Sequence, residues 1–105
     1  MADKTRKQHL LEFLEADPSD SFSRHALGLE LLAEGDREGA CTAFAEVVAR
    51  DPRYLPAYYQ LGQAHDAAGR TEQAREAWRS GLEVASAAKD WHTYDELQGA
   101  LDGLE

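Results

Sequence analysis

Tyr58-Tyr59-Gln60-Leu61-Gly62, followed by Gly69, Ala74 and Trp78, repeats a pattern laid down 34 residues earlier, where Leu27-Gly28, Gly35, Ala40 and Phe44 stand. Five matched positions at one fixed offset define a period. A first segment with Leu-Gly, a glycine turn, then alanine and a large aromatic four residues apart is the signature of a helix-turn-helix unit that stacks into a solenoid. Each matched residue has a physical reason. Glycine inside a helix costs about 1 kcal/mol against alanine, so Gly28 and Gly62 need an offset, which close approach of a facing helix supplies. Ala40 and Ala74 serve the same approach from the second helix, and Phe44 and Trp78 fill the space at the wider end. Gly35 and Gly69 fall where a first helix must end in a left-handed residue. Pro52 closes the unit.

These residues resemble the tetratricopeptide repeat. The resemblance covers two units, beginning at Ser21 and Leu55, or about two thirds of the chain. It implies a small bacterial-type protein with two full repeats plus flanking helices. The fold implied is an all-α, right-handed α-solenoid of antiparallel helix pairs, with about six helices.

Composition limits the alternatives. The chain has 105 residues, 43% of them hydrophobic, and no apolar run long enough to span a bilayer, so no membrane partner is expected. Lys4, Arg6 and Lys7 open the chain, but Glu12 and Glu15 interrupt what would be the apolar part of a signal peptide. A cytoplasmic location is the expectation. Cys41 is the only cysteine, which excludes an internal disulfide, and its place beside Ala40 reads as a small buried residue rather than a nucleophile. Twenty acidic against eleven basic residues give a net charge of −9, which disfavours nucleic acid. Arg70, Arg75 and Arg79 form the best basic patch, yet Glu72, Glu76 and Glu83 lie within helical reach of Arg75 and Arg79.

Along the chain, residues 2–16 read as a helix with Leu10, Phe13 and Leu14 in one stripe. Asp17-Pro18 precedes Asp51-Pro52 by the same 34 residues, so this helix takes the register of a second helix, with Leu10 in place of Phe44 and Arg6 in place of Ala40. It is a half-repeat, expected to cap the first full unit. Repeat 1 spans 21–54, with helices from about Ser21 to Glu34 and Asp36 to Arg50. Repeat 2 spans 55–88, with Pro56 starting its first helix and Thr71 capping its second. Residues 90–105 hold Tyr94, Leu97 and Leu101 at the spacing of Tyr58, Leu61 and His65, displaced by two residues from the period. They form a C-terminal capping helix with Asp95, Glu96, Gln98 and Asp102 on its polar side, and the Leu104-Glu105 end carries no function. The whole reads as a single domain, 1–105.

No phosphate-binding loop, HExxH or nucleophile with a base at a known spacing is present, so no enzyme and no cofactor are expected. His9 with Glu12 and His92 with Glu96 are pairs, too few for a metal site. The resemblance implies a groove lined by the first helices of successive units. With Leu27 and Leu31 defining the packing face of the first helix, Phe22, His25, Leu29 and Leu32 project from the other side. Pro56, Tyr59, Gln63 and Asp66 follow 34 residues later, and His92 and Asp95 extend the row. One branch of the family clamps the acidic C-termini of chaperones with Lys and Asn. Here His25, Leu29, Tyr59 and Gln63 hold the corresponding places, so a peptide or partner helix with an apolar anchor is the expected ligand. The stripe leaves two other readings open: a homodimer through the apolar face of the first helix, or coverage of Phe22, Leu29 and Leu32 by the chain itself.

Overall fold

Glycine punctuation and acidic caps divide the chain into helices. The computed structural model describes residues 3–104, and among these α1 spans Arg6–Ala16, α2 Ser21–Ala33, α3 Arg37–Arg50, α4 Leu55–Ala67, α5 Thr71–Ala87 and α6 Trp91–Asp102. Asp20, Asp36 and Asp90 each accept a hydrogen bond from the backbone N–H three residues on, starting α2, α3 and α6. The expected start of α1 at Ala2 lies outside the described residues, as does Glu105. The helix begins instead at Arg6, because Thr5 and Gln8 form a reciprocal capping box. Thr71 is the first residue of α5 rather than its cap. The residue before it, Arg70, makes no side-chain cap.

Gly35 and Gly69 have φ of 85° and 79°, as a left-handed turn requires. Across them Asp36 N–H reaches the Leu31 carbonyl at 2.9 Å and Arg70 N–H reaches that of His65 at 2.8 Å. The third hairpin turns the same way through Lys89, at φ 57°, with Asp90 N–H on the Ala85 carbonyl at 2.9 Å. Helix α5 has 17 residues where α3 has 14, which carries this turn and α6 out of the 34-residue period.

Consecutive helices pack antiparallel, and α2 also touches α4, so α2 and α4 lie in one layer with α3 behind them. The extents of 49 × 28 × 19 Å and radius of gyration of 14.2 Å exceed the roughly 13 Å of a compact chain this long, as stacking in a row demands. The glycines work more locally than expected. A Cβ on Gly28 would sit 2.5 Å from Phe44 Cε1, and one on Gly62 would sit 2.0 Å from Trp78 Nε1. The aromatic edges occupy the missing side chains themselves. Gly81 repeats the device: its Cβ would meet Tyr58 Cβ at 2.8 Å and Leu97 Cδ1 at 2.9 Å.

One core gathers Leu31, Ala40, Phe44, Leu61 and Ala64, and a second gathers Ala74, Trp78, Ala85 and Leu97. Helix α1 packs chiefly on α2 through Leu10, while Phe13 is 53% exposed and leaves the expected stripe. Arg6, in the place of a small residue, instead reaches Glu30 of α2 at 3.1 Å, and Lys7 reaches Glu34 at 3.2 Å. Both pairs are solvent-exposed, worth at most about 1 kcal/mol each. No described helix is long and apolar enough to cross a membrane.

Candidate interaction surface

The row expected on α2 divides in two. Phe22 is 69% and Leu29 40% exposed, seven residues apart and so on one face. Leu32 is half-buried against the first core. The ring of His25 lies 5.3 Å from those of both Phe44 and Tyr54, and its Nδ1 is buried with no hydrogen-bond partner. Both side chains face inward rather than displaying their surface. The period places a residue on a side of the helix but does not say how far the neighbouring side chain reaches over it.

Burial holds the His25 imidazole below the usual histidine range, and burial followed by the Arg70 charge does the same for His65. A base whose folded pKa lies below its unfolded value, about 6.5, is protonated first in the unfolded chain. The stability tied to these rings is therefore complete above that pH and is lost as pH falls below it. Denaturant midpoints should drop between pH 7.5 and pH 5, and His25→Phe should lessen the drop. An unchanged slope in that variant would assign it to other groups.

On α4 the expected residues do come together. Tyr59, Gln63 and Asp66 line a cleft of about 380 Å³, with Glu96 and Gly99 of α6 opposite and Trp78 at its base. Gln63 Nε2 donates to the Tyr59 hydroxyl at 2.8 Å, which holds the outer end of the ring, and Trp78 Nε1 donates to the Tyr59 backbone carbonyl at 3.0 Å, which ties the indole to α4. A second cleft, about 240 Å³, continues along the same two helices through Pro56 and Thr93 and shares Tyr59 and Glu96. Helix α6 thus belongs to the layer of α2 and α4.

The expected extension through His92 and Asp95 is not part of either cleft. His92 is exposed and lies 3.3 Å from Glu96. Glu96 and Gly99 were missed, although the displacement that aligns Leu97 with Leu61 also aligns Gly99 with Gln63.

Away from this layer, Arg70 Nη2 donates to Cys41 Sγ at 3.1 Å, Nε donates to His65 Nδ1 at 3.1 Å, and Nη1 meets the Glu38 carboxylate. Cys41 is buried, as expected, but against a guanidinium that ties α3 to the α4–α5 turn. Arg75 pairs with Glu72, so two of the three arginines of the basic patch are engaged by carboxylates.

The family profile described as tetratricopeptide repeat matches residues 31–93. A TPR repeat-containing protein of Pseudomonas aeruginosa is 33% identical over 96 residues, covering 91% of each chain. The solution structure of a tetratricopeptide repeat domain protein from Salinibacter ruber is 36% identical with a TM-score of 0.79, over 85% of this chain and 90% of that one. A solution structure of a Bordetella parapertussis protein superposes over 97% of this chain and 89% of its own, with a TM-score of 0.82 at 26% identity.

Proposed function

This chain belongs to the tetratricopeptide repeat family, a fold that generally mediates protein–protein interaction, and from that premise we propose that the layer of α2, α4 and α6 receives a segment of a partner protein. The observation that carries this reading is the exposure of Phe22 and Leu29 on one face of α2, a helix that buries Leu31 on the other. Apolar side chains of that size held at a surface suit an apolar anchor of the partner. Tyr59, Gln63 and Asp66 continue the surface with hydrogen-bonding groups, whereas His25 and Leu32 support it from beneath.

In the same reading residues 21–54 and 55–88 are the two full repeats, 2–16 is a half-repeat and 90–105 a capping helix, since a solenoid needs polar ends. The module acts as a scaffold without catalysis of its own. A reducing cytoplasm suits its lone thiol.

Sedimentation from micromolar to millimolar protein tests the proposal. A concentration-independent monomer is expected, leaving α2 open. Leu29→Glu should keep the fold, shifting stability by no more than about 0.5 kcal/mol, and should abolish capture of peptides that bind the parent chain. A dimer that this substitution converts to folded monomer would assign the face to self-association. Unfolding by Leu29→Glu would show that the side chain is part of the core.

A further inference from the structure

We propose that the cleft between α4 and α6 seats a cationic stretch of the partner, its backbone passing over Gly99 and a lysine or arginine side chain lying between Asp66 and Glu96 against Tyr59. This deepens the interaction reading above and rests on it.

Gly99 is the first argument. Glycine within a helix is unfavourable by about 1 kcal/mol relative to alanine, so each one calls for a reason. Four of the five that lie inside the described helices have one within the chain. Gly28 admits Phe44, Gly62 admits Trp78, Gly81 admits Tyr58 and Leu97, and a Cβ on Gly39 would collide with the Asp36 cap. Around a Cβ on Gly99 there is nothing within 4 Å. Its missing side chain opens the cleft instead, which is what close approach by another backbone requires.

Charge is the second. The cleft is lined by two carboxylates, Asp66 and Glu96, and by no lysine, arginine or histidine. Among the described residues Asp66 has no cation within 4 Å, and Glu96 has only exposed His92, outside the cleft, at 3.3 Å. A chain of net charge −9 has placed these two carboxylates in a concave site with no lysine, arginine or histidine in its lining, which favours a ligand of opposite sign. Tyr59 supplies the third element. Its hydroxyl is held by Gln63 and its ring packs half-buried against the second core, so the ring is a fixed surface for an alkyl stem or a guanidinium.

The test is selection of random dodecapeptides displayed on phage, run in parallel on the parent chain and on Gly99→Leu, followed by affinity measurement with the enriched peptides. Gly99→Leu adds a side chain to open space and improves helix propensity, so it folds, and it leaves the net charge unchanged. Peptides enriched in lysine and arginine on the parent chain, losing affinity on Gly99→Leu and about tenfold on Asp66→Asn/Glu96→Gln, would support the proposal. Enriched peptides without basic residues, or basic peptides that bind Gly99→Leu equally well, would overturn it while leaving the interaction module standing. If no peptide is enriched on the parent chain, both readings fail together.

Discussion

Trp78→Ala is expected to lower stability by about 4 kcal/mol, and a second substitution, Gly62→Ala, is expected to change sign when added to it. The indole is 2% exposed, its Nε1 donates to the Tyr59 carbonyl, and its edge fills the volume that a Cβ on Gly62 would need. In the parent chain Gly62→Ala forces the ring aside. The overpacking costs about 3 kcal/mol, and the gain of about 1 kcal/mol in helix propensity does not recover it. With alanine at 78 the clash is gone and only the propensity remains, so Gly62→Ala then stabilises. Urea denaturation of the four proteins reads the cycle directly. Additive effects would mean that Gly62 is there for the backbone and not for the indole.

The same pair explains why the fold was legible. A ring that enters the space of a glycine must sit at a fixed distance along the chain, so the contact between α4 and α5 is written as the interval from Gly62 to Trp78, and again from Gly28 to Phe44. The turns at Gly35 and Gly69 were readable because φ near 80° excludes most other residues. Lys89 breaks that rule, and a lysine in the left-handed region carries no signature that marks the third turn. The added length of α5 is equally silent, and together they displace α6 by two residues from the period, a displacement that Tyr94, Leu97 and Leu101 made readable. The candidate site suffered most, since half of it lies on that helix. Tyr59, Gln63 and Asp66 could be named from the period, whereas Glu96 and Gly99 required the displacement of α6 to be carried over to its groove-facing residues as well. The half-burial of His25 was hidden for another reason. A polar residue on the outer side of α2 reads as displayed, but two aromatic rings from α3 and the start of α4 close over it.

Leu97→Ala should separate the end of the solenoid from its body. Leu97 is fully buried, and its Cδ atoms pack where Gly81 of α5 has no side chain. It is the one buried residue of α6, with Tyr94, Ala100 and Leu101 half-buried around it against the same core, so it is the centre of that helix's apolar hold. Truncation removes about 3 kcal/mol, the usual cost for a leucine in a closed site. In a row of helices each unit is held only by its neighbours, and α6 has α5 as its principal neighbour. The loss should therefore fall on α6 before it reaches the first core around Phe44. Hydrogen exchange is expected to show the amides of α6 opening while those of α2 and α3 keep their protection. Uniform loss through all six helices would instead mean that the chain unfolds as one cooperative body. Because α6 forms one wall of the acidic cleft, the same variant should lose basic peptides while the Phe22 and Leu29 face of α2 keeps its structure. Affinity that survived detachment of α6 would place the cationic contact on α4 alone.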